Sequence, residues 1–109
     1  MPAYCKLVRD EIPQIIESSG RKCVYEVLDD QRYAAELYRK MNEELLEFAA
    51  AEGMPQAVEE LADLLEVVRA LADLRGIRME EAERVREKKA AKRGGFTQRI
   101  FLVEAENDF

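Results

Sequence analysis

The chain of 109 residues is 48% hydrophobic and 37% charged, which is typical of one globular domain and excludes a disordered acidic tail. It contains no His, which excludes zinc hydrolases and histidine-based acid–base catalysis, so a bound metal would need oxygen ligands. Its net charge of −6 argues against nonspecific binding to nucleic acid.

Four helices are predicted from the apolar periodicity and the helix-terminating residues of the chain. Asp10 is the predicted N-cap of the first helix, and Asp29-Asp30 cap the second. A glycine directly follows the end of each predicted helix. After an irregular or extended lead over residues 1–9, the helices are expected at about 10–19, 31–52, 55–75 and 79–93.

Two short segments predict β-strands. Residues 24–28 and 99–104 are rich in β-branched and aromatic side chains. Since an isolated strand is not stable in water, we expect the two segments to pair with each other. The predicted fold is mainly α: an antiparallel bundle of about four helices with a small two-stranded β ribbon that joins the N- and C-terminal segments. With no linker or repeat in the sequence, residues 1–109 are expected to form a single domain.

Cysteine usage and hydropathy predict the compartment. Cys5 and Cys23 match neither a metal-binding spacing nor a disulfide framework, which favours a reducing environment. No apolar run approaches the length of a membrane span, and no secretory start is visible. We therefore expect a cytoplasmic protein without a membrane partner.

Two pairs of acidic residues mark the second and third predicted helices. Glu44 and Glu47 are three residues apart, Glu60 and Asp63 repeat that spacing, and twelve residues separate the pairs. Residues three apart are neighbours on one face of a helix, so two antiparallel helices could direct all four carboxylates at one point. Four such groups repel one another unless a cation lies between them, and a divalent metal is the usual solution.

Glu60 is the strongest candidate of the four. Helical periodicity places Glu60 inside the apolar arc of the third helix. Asp63 lies at the border of that arc, and Glu44 lies at the edge of the apolar stripe of the second helix. A buried carboxylate must be paired, protonated or bound to a metal, because burying it alone costs several kcal/mol. The alternative without a metal is a buried ion pair with an arginine such as Arg39 or Arg69. The matching spacing on consecutive helices favours the metal.

A basic segment follows the acidic middle of the chain. Residues 29–83 contain 15 acids and 6 bases, whereas residues 84–99 contain seven bases and one acid. This order suits a metal and an anion that the metal helps to hold, although a helix C-terminus favours basic residues in any case. Lys89 and Arg93 share a helix face and could hold phosphates. Oxygen ligands suit Mg²⁺ or Mn²⁺, and the chemistry that follows is hydrolysis at phosphorus.

These motifs resemble a known family. Glu44-x-x-Glu47, a gap of twelve residues and Glu60-x-x-Asp63 resemble the signature of the all-α nucleoside-triphosphate pyrophosphatase superfamily, which includes MazG, dimeric dUTPases and phosphoribosyl-ATP pyrophosphohydrolase. The segment KLVRDEIP at residues 6–13 and the segment 89–96 resemble a MazG-like branch predicted to clear noncanonical nucleotides. The resemblance therefore covers most of the chain.

The resemblance implies Mg²⁺-dependent cleavage of a nucleoside triphosphate between its α- and β-phosphates, giving a nucleoside monophosphate and pyrophosphate. The residues that match the family's metal ligands, one of which could orient the water, are Glu44, Glu47, Glu60 and Asp63. Those that would contact the substrate are Lys89 and Arg93, which match phosphate-binding residues, together with Arg9 and Lys6. The resemblance also implies a homodimer or homotetramer with sites near subunit interfaces, which fits the position of Leu46 outside the apolar stripe of its helix.

Two alternatives stay open at this point. One is a helical dimerisation or nucleotide-sensing module without chemistry. The other is phosphoribosyl-ATP pyrophosphohydrolase, which fits the N-terminal segment and the predicted ribbon less well. The base and the sugar are not identified, because the aromatic candidates for stacking are equally compatible with a core: Tyr33, Tyr38, Phe48 and Phe96.

Overall fold

The computed structural model describes residues 2–106 of the chain. It contains the helices α1 (Ile12–Ser18), α2 (Asp30–Ala50), α3 (Met54–Leu74) and α4 (Met79–Arg93). The predicted mainly α fold with four helices is confirmed, and α4 has the predicted bounds. Within residues 2–106, none of these helices combines the length and the apolar character that a membrane crossing requires.

Local signals in the sequence explain where α2 and α3 begin. The side chain of Asp29 accepts a hydrogen bond of 2.8 Å from the backbone N–H of Arg32, so this aspartate caps α2 as predicted. Gly53 has a φ of +82°, which side-chain-bearing residues rarely adopt, and it is the N-cap of α3. Pro55 lies in the first turn of α3, where its missing N–H costs no hydrogen bond. The short connection makes α2 and α3 an antiparallel hairpin.

This hairpin is the centre of the first of two compact units, which ends at Ile77. Leu37 of α2 and Val67 of α3 are its buried hydrophobic residues, with 3% and 7% of their surface exposed. Other apolar side chains of the hairpin are exposed to solvent, among them Leu45, Leu46, Val58, Leu61 and Leu65. The hairpin therefore leaves much of its apolar surface in contact with water.

The second unit begins at Arg78 and contains α4. Two arginines pair with acids one turn earlier in this helix, Arg84 with Glu81 and Arg86 with Glu83. The last turn carries basic residues, which the partial negative charge of a helix C-terminus favours. Acidic residues occupy the first turn, so the charge along α4 matches the helix dipole at both ends.

Two details of the predicted fold are wrong. Glu11, and not Asp10, is the N-cap residue of α1. Among the described residues, the segments 24–28 and 99–104 form no strand, so the predicted two-stranded ribbon is not part of the fold. Their side chains are largely exposed. β-Branched residues favour strands because their side chains pack well on a half-buried pleated surface. Without a neighbouring strand there is no such surface, so these residues alone do not fix an extended conformation.

Candidate metal centre and adjoining cavity

Three of the four predicted carboxylates meet between α2 and α3. Glu44, Glu47 and Glu60 each place one carboxylate oxygen within 4.8 Å of the other two. Glu44 and Glu47 are one turn apart on α2, and the antiparallel hairpin brings Glu60 of α3 opposite them. Glu47 is exposed, whereas Glu60 is half-buried and Glu44 is buried. The cluster is thus open to solvent on one side.

Glu44 is the most deeply buried of these acids, with 5% of its surface exposed. Burial raises its pKa above the ordinary value, the neighbouring Glu47 carboxylate raises it further, and Lys40 opposes the increase. Among the residues that the structure describes, the Oε2 atom of Glu44 has no hydrogen-bond partner. A buried carboxylate oxygen without a partner is costly, so the side chain is suited to a cation that would share its charge.

Glu60 also has a buried oxygen, Oε2, that lacks a hydrogen-bond partner. The alternative of an ion pair with Arg39 or Arg69 is not realised among residues 2–106, since Arg39 lies 3.7 Å from Glu36 instead. The sequence made Glu60 the strongest candidate, but Glu44 is the more buried of the two. Periodicity predicts the apolar arc of a single helix. It does not show which part of that arc the neighbouring helix covers.

Asp63 lies outside the cluster of three carboxylates and pairs with the N-terminal segment. Arg9 donates a hydrogen bond from Nη2 to Asp63 Oδ1 at 2.8 Å. The two side chains are 57% and 43% exposed, so the pair contributes little to stability. The pair shows that the segment before α1 lies next to α3, with Arg9 beside Asp63.

Lys40 is a residue of this site that the sequence analysis did not single out. Its Nζ lies 3.4 Å from Glu44 Oε1 and 3.7 Å from Glu43 Oε1, and its side chain is 22% exposed. The signal was present in the sequence, because a lysine four residues before an acid faces that acid on a helix. Glu43, the residue before Glu44 on α2, is paired with Lys40 as well.

Of the other predicted substrate-binding residues, Lys6 belongs to the first unit, and Lys89 and Arg93 belong to the second. Lys6 precedes α1, and its Nζ is 5.8 Å from the ring centroid of Tyr4, within the range of a cation–π contact. Lys89 and Arg93 are one turn apart in the C-terminal part of α4, which belongs to the second unit. Among the predicted basic residues of the first unit, Arg9 pairs with a predicted site carboxylate, that of Asp63.

A cavity of about 530 Å³ adjoins the carboxylates within the first unit. Its walls come from the segment before α1, α1 itself, α2 and α3. Glu44 and Asp63 line it, and so do their basic partners Lys40 and Arg9. The cavity therefore contains both signs of charge beside the cluster.

No protein-family model and no solved structure matches this chain. An uncharacterized protein of Mycolicibacterium smegmatis is 44% identical to it over 54 residues, which are 50% of this chain and 55% of the relative. The chain thus spans about half the length of the curated relative that it matches.

Proposed function

We propose that this chain is a Mg²⁺-dependent nucleoside-triphosphate pyrophosphohydrolase of the MazG-like, all-α kind, with Mn²⁺ as a possible substitute metal. The reaction would cleave the bond between the α- and β-phosphates and release pyrophosphate. Its cellular role would be to remove noncanonical nucleotides from the nucleotide pool. The observation that supports this most is the buried Glu44 carboxylate, which has an unpartnered oxygen and lies within 4.8 Å of two further carboxylates.

The residues fit a hard divalent cation. Glu44, Glu47 and Glu60 offer only oxygen ligands, which suit Mg²⁺ and Mn²⁺. The buried Oε2 atoms of Glu44 and Glu60 have no other partner, so a cation would satisfy both. When bound, such a metal supplies charge neutralisation for the phosphate oxygens and a site for water.

Asp63 has a separate role in this proposal. It lies one turn from Glu60 but outside the cluster of three carboxylates, where Arg9 balances its charge. A carboxylate that is not used as a ligand can accept a proton from the attacking water, and we assign that role to Asp63. Lys89 and Arg93 keep the phosphate-binding role, and Lys6 keeps the substrate contact, that the resemblance implies for them.

The proposed enzyme is a homodimer or homotetramer. Leu46 is 69% exposed, as expected for a residue outside the apolar stripe of α2. Val58, Leu61 and Leu65 follow one another at helical spacing on α3 and are 57%, 42% and 56% exposed. Large exposed apolar surfaces mark interaction sites on soluble proteins. The same exposure would also suit a non-catalytic dimerisation module, and an activity assay separates the two.

The test is the release of pyrophosphate from a broad panel of canonical and noncanonical nucleoside triphosphates, with and without millimolar Mg²⁺. We expect pyrophosphate, and not orthophosphate, from at least one substrate. Glu60→Gln should abolish this activity, whereas Glu59→Gln, which removes the adjacent exposed charge, should retain it. Full turnover by Glu60→Gln would contradict the site assignment, and no turnover of any nucleotide by the wild type would favour the non-catalytic module.

A further inference from the structure

The walls of the cavity are arranged so that its two ends differ in chemistry. The residues of α2 that line it recur at intervals of three and four and so lie on one helix face: Tyr33, Leu37, Lys40 and Glu44. The lining residues of α3 also lie on one side of their helix, since Glu66 and Val67 are each three or four residues from the other two: Asp63 and Ala70. Because the two helices are antiparallel, the acids Glu44 and Asp63 share one end and Tyr33 shares the other with Ala70.

The distance between these ends is considerable. Tyr33 and Glu44 are eleven residues apart, which corresponds to about 16 Å along the helix at a rise of about 1.5 Å per residue. The wall from the N-terminal segment and α1 includes apolar residues, among them Leu7, Val8, Ile12 and Ile15. A ligand that fills this cavity therefore needs a charged end and an apolar or aromatic end.

Two basic side chains line the charged end. Lys40 lies 3.4 Å from Glu44, an acid of the candidate metal centre, and Arg9 lies 2.8 Å from Asp63, which is outside the cluster. With a divalent cation on the Glu44 carboxylate, the Lys40 ammonium has donors free for another acceptor. Arg9 has guanidinium donors beyond the one that Asp63 accepts, so both side chains can donate to an anionic ligand in the cavity that they line.

We propose that this cavity binds the organic phosphate substrate, with Lys40 and Arg9 on its phosphate oxygens and the base or sugar at the Tyr33 end. The inference rests on the proposed function of the carboxylates and adds a binding site to it. Lys40 is thereby a substrate-contacting residue that neither the sequence motifs nor the family resemblance identified.

The charges also limit the class of substrate. Among the described residues, Arg9 and Lys40 are the basic ones that line the cavity, whereas Asp10, Glu11 and Glu66 add negative charge to its walls. Within the cavity walls, a second phosphate group on another part of the ligand would meet these acids, because the phosphate chain already occupies Arg9 and Lys40. The cavity therefore selects nucleotides with a single phosphate chain and disfavours nucleotides phosphorylated at both ends, such as phosphoribosyl-ATP.

The experiment measures the binding of α,β-methylene nucleoside triphosphates, which resist cleavage at the proposed bond, to the full chain at saturating Mg²⁺. Lys40→Met should weaken binding about tenfold or more, because a hydrogen bond to a charged group is lost, and Lys40→Arg should restore most of it. Tyr33→Leu should weaken binding several-fold. The matched controls are Lys22→Met and Tyr38→Leu, which alter exposed residues outside the cavity and should bind as the wild type does.

Failure of this inference differs from failure of the proposed function. If Lys40→Met folds, releases pyrophosphate and binds the analogue as tightly as Lys22→Met does, the substrate lies elsewhere and the cavity assignment is overturned while the pyrophosphohydrolase stands. Turnover of phosphoribosyl-ATP at the rate of the best nucleoside triphosphate would overturn the selectivity. If the wild type binds the analogue through Lys40 but cleaves no nucleotide, the cavity is supported and the proposed chemistry is wrong.

Discussion

Leu37 and Glu44 lie two turns apart on the same face of α2, and both are buried, with 3% and 5% of their surface exposed. A heptad separation keeps two residues on one side of a helix, so the carboxylate occupies a position that belongs to the packed face of the hairpin. A side chain placed there for stability would be apolar, like Leu37. The position of Glu44 is therefore explained best by a need for its charge.

Leu37→Ala should destabilise the chain by about 2–5 kcal/mol, because it removes the methyl groups of a buried side chain and leaves a cavity beside Val67. Urea denaturation measures the free energy of unfolding. Leu46→Ala provides the matched control on the same helix, because Leu46 is 69% exposed and its truncation should cost much less in the monomer. Equal losses for the two variants would contradict the described core.

Stability without metal should depend on the protonation of Glu44. Its pKa is raised above the ordinary value of 4.5, so the folded state holds this proton more tightly than the unfolded state does. The resulting stabilisation is fully present below the unfolded pKa and is lost as the pH rises through the raised folded pKa. In EDTA, Glu44→Gln should show less of this loss between acidic and neutral pH than the wild type. Chemical denaturation at a series of pH values measures the difference, and identical pH profiles would contradict the assigned burial.

The Arg9–Asp63 pair should contribute to function more than to stability. Arg9→Met should change the free energy of unfolding by less than about 1 kcal/mol, because both partners are substantially exposed. The variant should raise KM for the nucleotide more than it lowers kcat. Arg32→Met is the control, because it breaks a similarly exposed pair with Glu26, of 2.9 Å, away from the cavity. An increase in KM of the same size in both variants would argue against a substrate contact at Arg9.

The exposed surface of the hairpin should hold subunits together. Leu46→Glu places a charge on that surface, so light scattering coupled to gel filtration should show a shift toward the monomer. Val27→Glu alters a residue that is 91% exposed but lies in an irregular segment outside the hairpin, and it should leave the assembly intact. A wild-type monomer at micromolar concentration would contradict the proposed oligomer directly.

The parts of the fold that the sequence predicts correctly depend on local signals. Asp29 caps α2 through a residue three positions away, and Gly53 and Pro55 define the start of α3 through their own backbone preferences. The strand predicted at residues 24–28 failed because strand formation needs a partner distant in the sequence, which local composition does not supply.

Some features of the candidate site were also predictable from the sequence, and others were not. The spacing of Glu44, Glu47 and Glu60 predicts their convergence once the two helices are antiparallel, and the structure brings them together. Helical periodicity did not predict that Glu44 is more buried than Glu60, because burial depends on which face the neighbouring helix covers. The pairing of Arg9 with Asp63 joins residues 54 positions apart, so no local pattern indicates it.

The most direct test of the central claim is a thermal-shift titration with Mg²⁺ and with Mn²⁺. If the carboxylates bind a divalent cation, the Tm of the wild type should rise with the metal concentration, because the metal binds the folded state preferentially. Glu44→Gln should remove most of the rise, and Glu59→Gln should preserve it. A wild-type Tm that does not change at millimolar metal, or a Glu44→Gln variant that responds as the wild type does, would contradict the metal centre.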